Sequence, residues 1–323
     1  MATTLIALGA NLGDRWANLQ TAVDLLDRAP ATRVVACSRW FSTAPIGGPQ
    51  GQAQFINAAA RVETSLSPHE LLATVRAIEA SLGRQRRRRW DARSIDLDLL
   101  LFDEVILRSA ELELPHPRMA FRRFVLEPAA DVAADMMHPV IGWSVGQLLE
   151  HLNSAANYVA LTGAPGGGKT ELAQKAAAQT ASRFLTDPAA APPEALAARP
   201  LVAEQWRWRQ RAALLSRQRW PAEPPAAVSD FWLGQSQAYS RRWPDDQQQA
   251  ELAAACEAAG ADAIQPKLLV LVDRPSVPDR WQTVRAELRR LVLQPGRGPL
   301  LELDASQPGE AVVELCAAIE AMR

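Results

Sequence analysis

Two aspartates stand two residues apart in Arg93-Ser94-Ile95-Asp96-Leu97-Asp98, and the apolar run Leu99-Leu100-Leu101-Phe102 follows. Side chains on a strand alternate faces, so Asp96 and Asp98 are expected on one face and Ile95, Leu97, Leu99 and Leu101 on the other. One face suits a core. The other carries two like charges close together, an arrangement that a bound cation resolves. Oxygen ligands suit Mg²⁺, which is commonly held by one or two carboxylates plus substrate phosphates. Just upstream, Gly83-Arg84-Gln85-Arg86-Arg87-Arg88-Arg89-Trp90-Asp91-Ala92-Arg93 supplies guanidinium forks that match phosphate oxygens. A bare pair of this kind is common, and alone it reads equally as a surface strand beside a basic loop.

A second phosphate signal lies at Gly163-Ala164-Pro165-Gly166-Gly167-Gly168-Lys169-Thr170. It follows the strand-like Asn157-Tyr158-Val159-Ala160-Leu161-Thr162 and precedes an alanine-rich helix, the context that makes G-x-x-x-x-G-K-T a phosphate-binding loop. Backbone N–H groups between Gly163 and Gly168 would cradle phosphates, Lys169 would reach the β/γ oxygens, and Thr170 would hold one Mg²⁺.

The first signal has company. Gly9-Ala10-Asn11-Leu12-Gly13-Asp14, Phe55-Ile56-Asn57-Ala58, the R-x-x-D-x-D stretch and Pro115-His116-Pro117-Arg118 with Arg122 occur in that order. Over roughly the first 150 residues, the size of one ordinary domain, the chain resembles 6-hydroxymethyl-7,8-dihydropterin pyrophosphokinase. That folate-pathway family moves a diphosphate from ATP to a pterin alcohol and leaves AMP. The resemblance implies two Mg²⁺ ions at Asp96 and Asp98, bridging the ATP phosphates, with Glu79 near the ATP site. It implies phosphate contacts or clamping by Arg84, Arg93, His116 and Arg122. Thr43, Pro45, Ile46 and Gly47 would wrap the pterin, Phe55 would stack on it, and Asn57 would hydrogen-bond its ring. The loop from Gly83 to Arg93 is shorter and richer in arginine than the family's, and Asp91 stands where glycine is usual. Which of Arg86 to Arg89 reaches ATP is therefore open.

The second half resembles the deoxynucleoside kinases. Asp187, before Pro188, falls at that family's candidate base for the sugar hydroxyl. Val228-Ser229-Asp230-Phe231 resembles its strand-end acidic motif, except that Phe231 replaces an arginine. Arg285, Arg289 and Arg290 lie on a helix that could act as a lid, and the resemblance implies a homodimer through this half. Alanine- and proline-rich stretches at 189–200 and 220–227 suggest loosely constrained connections. Three readings stay open here: an active deoxynucleoside kinase that is the main activity, a kinase joined to the pterin enzyme, and a nucleotide-dependent interaction module without turnover.

The elements that would position these residues are legible in outline. Thr3 to Leu8 reads as a strand, and Leu19, Val23 and Leu26 recur at helical spacing. Arg33 to Thr43 and Gln54 to Glu63 are strand-like, with the turn-rich Ala44 to Pro49 between them. Ser67-Pro68-His69-Glu70 is a capping box, and Gly83 stops its helix. Strand, helix, strand, strand, helix, strand is the ferredoxin-like order, so the expected architecture is an α+β ferredoxin-like domain over 1–154 and an α/β P-loop kinase domain with a parallel sheet over 155–323. The stretch from Leu148 to Asn157 is the expected boundary.

A formal net charge of -1 gives no global field to attract nucleic acid or an anionic membrane. The arginine run alone is a solvated loop rather than an extended basic face. Cys37, Cys256 and Cys316 lie far apart, with no metal-ligand spacing, which fits a reducing cytoplasm. No apolar stretch approaches the ~20 residues of a membrane span, and the N-terminus lacks a signal-peptide pattern.

Overall fold

The computed structural model describes residues 1–49, 51–84, 91–189, 192–220, 226–241, 245–274 and 278–323, apart from the side chains at 197 and 257–259. Arg86 to Arg89 lie outside the described residues. The chain divides into two compact units, Met1–Asn153 with Glu320–Arg323, and Ser154–Ile319.

In the first unit, β1 (Ala2–Ala10), α1 (Arg15–Arg28), β2 (Thr32–Cys37), β3 (Phe41–Thr43), β4 (Phe55–Thr64), α2 (Pro68–Ser81) and β5 (Asp96–Phe102) follow one another. The strands form an antiparallel sheet in the order β2-β4-β1-β5, and β3 also pairs with β4. Asp14 caps α1 by accepting the amide of Ala17 at 3.0 Å. Ser67 and Glu70 cap α2 reciprocally, with Pro68 at its first turn, and Gly83 beyond its end takes φ +76°. Leu19, Ala22 and Leu26 of α1 and Leu71, Val75 and Ile78 of α2 pack on Ile6, Leu8, Ala10, Ile56, Ala58, Leu97 and Leu99 from one sheet face. Each Leu, Ile or Val among them contributes about 1.5–3 kcal/mol when fully buried. By alternation, Gly9, Asn57, Asp96 and Asp98 fall on the opposite face.

The single strand expected over Arg33 to Thr43 is two strands. The β2–β4 register shifts between Val34 and Ala36. Ser38 then leaves the ladder: its N–H donates to Ala59 O and its Oγ accepts the Ala59 amide, both at 2.9 Å. Side-chain bonding by a serine competes with continued pairing in this way.

The unit closes with two short hairpin pairings, β6 (Leu107–Arg108) with β7 (Glu113–Leu114) and β8 (Met137–His138) with β9 (Trp143–Ser144), and the helices α3 (Arg123–Ala133) and α4 (Val145–Ser154). The expected boundary stretch is thus mostly the helix α4, and the next strand begins at Ala156.

The second unit holds β10 (Ala156–Thr162), α5 (Lys169–Gln179), β11 (Arg183–Leu185), α6 (Glu194–Ala197), α7 (Pro200–Leu214), β12 (Ala227–Ser229), α8 (Gln235–Ser240), α9 (Asp246–Gly260), β13 (Pro266–Asp273), α10 (Gln282–Val292), β14 (Leu300–Asp304) and α11 (Pro308–Ala321). Its sheet is parallel, in the order β11-β12-β10-β13-β14. Such sheets are covered on both faces, which is why β13 reads as continuous Leu and Val. Strand order reverses around β10, and the glycine-rich loop leaves its carboxyl end, where open α/β sheets bind ligands. The stretch 189–200, expected to be an irregular connection, contains α6 and leads into α7.

Candidate active site

Across the first sheet, Gly9 pairs with Asn57 on one side and with Asp96 on the other, and Ala7 pairs with Asp98. Asn57, Gly9 and Asp96 therefore form one row over three strands. Asn57 is buried, and its Nδ2 donates to Thr43 Oγ1 at 2.8 Å. Phe55 faces Thr43 across the β3–β4 pair. Thr43, Phe55 and Asn57 thus come together as the sequence suggests. Pro45 and Ile46, half-buried, and the exposed Gly47, at φ +68°, follow in the loop leaving β3.

The arginines converge on the acidic end of that row. Arg84 Nη1 lies 2.5 Å from Asp96 Oδ1 and also bonds the buried Glu79. Arg93 bonds the other Asp96 oxygen, and its guanidinium carbon sits 6.0 Å from the Phe55 ring centroid. Glu79 Oε1 accepts the amide of Leu97 at 2.8 Å, so Glu79 enters the site as the anchor of Arg84 and of the start of β5. Arg122 lies over the Phe124 ring at 5.6 Å.

The first glycine motif finds its purpose here. Asn11 and Leu12 donate their amides to Arg93 O at 3.1 Å each, and Asn11 Oδ1 accepts the Arg93 amide at 2.8 Å. Asn11 Nδ2 also donates to Gln52 Oε1 at 3.0 Å. Asn11 therefore fixes the arginine that spans the aromatic and acidic parts of the site.

Burial, then the neighbouring Asp96, push the Asp98 carboxyl up to about 6, against the pull of Arg122, Arg84 and Arg93. A carboxylate held at that cost is a natural ligand for a cation. Among the described residues no cluster of three His, Cys, Asp or Glu side chains could hold a metal unaided. Two carboxylates completed by phosphate oxygens match the donor set that Mg²⁺ takes, so Asp96 and Asp98 fit that ion.

Burial, followed by the charges of Arg122 and Arg118, pushes His116 down to about 3. It is neutral near pH 7. Its Nδ1 accepts the Arg118 amide at 3.2 Å, which leaves Nε2 carrying the hydrogen. His116 is thus a neutral donor suited to a phosphate oxygen.

In the second unit, the loop between β10 and α5 lies against β13. A Cβ at Gly163, where φ is +153°, would come within 2.3 Å of Val272 O, so only glycine fits. Gly168, at φ +83°, turns the chain into α5. Lys169 Nζ donates to Gly163 O at 2.9 Å and Ala164 O at 3.0 Å, and burial pushes its ammonium down to about 8. Thr170 Oγ1 donates to Asp230 Oδ2 at 2.7 Å, and Asp230 Oδ1 accepts the Asp187 amide at 2.7 Å. Arg211 of α7 grips Asp187, with Nη2 to Oδ2 at 2.7 Å and Nε to Oδ1 at 3.1 Å, and donates to Ser236 Oγ at 2.8 Å.

Asp230 directly follows the three-residue β12, a position visible in Val-Ser-Asp, whereas nothing in the sequence singles out Arg211. Phe231 is fully buried in the apolar core. Arg285 pairs with Asp273 at 2.6 and 2.7 Å, Arg289 with Glu302 and Arg290 with Glu287, so the expected lid arginines are tied to carboxylates.

The family model for 7,8-dihydro-6-hydroxymethylpterin-pyrophosphokinase matches residues 5–134. A 2-amino-4-hydroxy-6-hydroxymethyldihydropteridine pyrophosphokinase from Synechocystis sp. is 38% identical over 167 residues, covering 52% of this chain and 85% of that protein. The enzyme of the same name from Pseudomonas aeruginosa is 43% identical over 134 residues, covering 42% of this chain and 82% of that protein. The chain belongs to this pyrophosphokinase family. A solved deoxyadenosine kinase from M. mycoides with bound dATP overlaps 49% of this chain and 96% of its own at 12% identity, with a TM-score of 0.41.

Proposed function

We propose that residues 1–154 form a dihydropterin pyrophosphokinase domain of ferredoxin-like fold. It transfers the diphosphate of ATP to the hydroxymethyl group of 6-hydroxymethyl-7,8-dihydropterin, a step of folate synthesis. The observation that carries this reading is Arg93, whose guanidinium bonds Asp96 and lies over Phe55 at once. A residue spanning both features suits a site where a polyphosphate and a flat ring meet. The antiparallel order β2-β4-β1-β5 supports the ferredoxin-like assignment.

The pterin alcohol oxygen forms a bond to the β-phosphorus and gives up its proton to water, while the bond from that phosphorus to the α,β-bridging oxygen breaks and AMP leaves. Such a transfer needs little covalent help and depends on positioning and charge neutralisation. Thr43 fixes the Asn57 amide, and Phe55 supplies an apolar face for the ring. Arg84, Arg93 and Arg122 exchange carboxylate and aromatic partners for phosphate oxygens, and His116 donates from Nε2 to an oxygen at the breaking bond. Mg²⁺ at Asp96 and Asp98 would offset phosphate charge when bound.

We further propose that residues 155–323 bind a second nucleotide. The chain of bonds Thr170–Asp230–Asp187 beside Lys169 favours this, because it gathers a hydroxyl, two carboxylates and an ammonium at the end of β10. Thr170 would share one Mg²⁺ with the phosphates there, and Asp187 is the group placed to accept a proton from a deoxynucleoside hydroxyl. The test is product analysis of the whole chain with ATP and the hydroxymethyl pterin, repeated with each deoxynucleoside. AMP marks the first chemistry and ADP the second. Absence of AMP rejects the pyrophosphokinase assignment, and absence of ADP with every nucleoside leaves the second unit a binding module.

A further inference from the structure

The motif after β12 carries Phe231 where an arginine is expected beside the acidic groups. Phe231 is fully buried, and its backbone oxygen accepts the hydroxyls of Ser229 and Tyr158. That position offers Asp187 no cation. A guanidinium arrives instead from the last turn of α7. Arg211 Nε lies 3.1 Å from Asp187 Oδ1 and 3.2 Å from Oδ2, and Nη2 lies 2.7 Å from Oδ2. The other arm of the fork is held as well, since Nη1 donates to Ser236 Oγ of α8 at 2.8 Å. A planar guanidinium fixed on both sides fixes the plane of the carboxylate it grips. The backbone of Asp187 is anchored too, because its amide donates to Asp230 Oδ1 while Asp230 Oδ2 takes Thr170 at the glycine-rich loop.

A carboxylate offers about four acceptor positions, two on each oxygen. At Asp187 Oδ1 the Ala189 amide, 3.0 Å away, and Arg211 Nε take both. At Oδ2 the Nη2 group takes one, so among the described residues one acceptor position on Oδ2 stays open. We propose that Arg211 is a positioning residue of the second site, supplying from α7 the guanidinium that position 231 lacks and leaving Asp187 Oδ2 as the oxygen that takes the substrate proton. This inference rests on the deoxynucleoside reading of that unit and deepens it. In the transfer the nucleoside hydroxyl oxygen bonds the γ-phosphorus, and the bond from that phosphorus to the β,γ-bridging oxygen breaks. ADP leaves, and the hydroxyl proton passes to Asp187 Oδ2. Arg211 acts through Asp187 alone.

The experiment is steady-state ADP formation by the whole chain, with ATP and the deoxynucleoside that the wild type turns over fastest. Wild type, Asp187→Asn, Arg211→Met and the double variant are compared, and cooperative melting and its protection by MgATP are measured alongside. Asp187→Asn is expected to lower kcat about 100-fold or more, the size of a lost general base. Arg211→Met is expected to lower kcat about tenfold or more, with the ATP KM within about twofold of wild type. The double variant is expected within about threefold of Asp187→Asn, because a residue that acts through another has nothing left to position. A double variant slower than that, an Arg211→Met kcat within about twofold of wild type, or an Asp187→Asn variant as fast as wild type each overturns the inference. If Arg211→Met does not fold, the double variant against Asp187→Asn decides alone, since no carboxylate there has lost its cation. Wild-type protein that makes no ADP with any deoxynucleoside overturns the underlying reading and this inference with it, a result distinct from an active wild type in which the two losses multiply.

Discussion

Arg211 joins Asp187, Glu204 and Ser236 in the second unit, and its removal is a quantitative test of that unit's polar core. Its side chain is 4% exposed, against 7% for Glu204 and 19% for Asp187. It donates to Asp187 from both Nε and Nη2, to Ser236, and over a longer 3.5 Å to Glu204. Arg211→Ala leaves Asp187 in a poorly hydrated space without its cation, while Glu204 keeps Arg207 at 2.9 Å. Breaking a buried pair from one side costs about 3–5 kcal/mol. For a unit of this size each kcal/mol moves Tm by about 2–4 °C, so the expected loss is on the order of 10 °C. Differential scanning calorimetry of the whole chain should show the loss in one transition, with the other unmoved. Arg211→Met combined with Asp187→Asn should recover part of it, since Glu204 keeps Arg207 and the carboxylate that lost its cation is then neutral. A shift of less than about 3 °C would refute the reasoning, because it would mean that Asp187 keeps its hydration without Arg211.

Other outcomes follow from the same geometry. Arg93→Lys keeps the charge but loses the planar fork that touches Asp96 and Phe55, so kcat/KM for AMP formation should fall about 100-fold; a change under about threefold would deny Arg93 its role. Burial pushes His138 down to about 4, and its Nδ1 accepts the Ile141 amide at 3.2 Å. Its contribution is complete above its unfolded value near 6.5 and is lost as pH falls toward 4, about 2 kcal/mol of it between pH 7.5 and 5; calorimetry of His138→Gln should show that much less acid sensitivity. Lys169→Ala should abolish nucleotide binding by the second unit, read as lost protection of its transition by MgATP, while AMP formation persists.

The acidic pair was legible because strand periodicity fixes side-chain direction from two residues alone, and the capping box of α2 because its four residues are adjacent. The glycine-rich loop was legible because strand, loop and helix are contiguous. The rest depends on pairings that local pattern does not encode. Asn11 and Arg93 are separated by most of the first unit, and only the β1–β5 pairing brings them together. Arg211 comes from a helix with weak apolar patterning, and its partner Asp187 lies before that helix. The split of β2 from β3 turns on one serine hydroxyl that replaces a ladder bond, which residue propensity does not register. The resemblance implies only that Glu79 lies near the nucleotide. In the fold its carboxylate faces Arg84 and the Leu97 amide, a backbone partner that no side-chain pattern reveals.

The most direct test of the central claim is AMP formation from ATP and 6-hydroxymethyl-7,8-dihydropterin by the Asp96→Ala/Asp98→Ala double variant, with the melting of the first unit followed in parallel. The account predicts no detectable AMP from a protein whose first unit still melts cooperatively, because removing two mutually repelling carboxylates spares the core face of β5. Wild-type rates of AMP formation in that folded variant would contradict it.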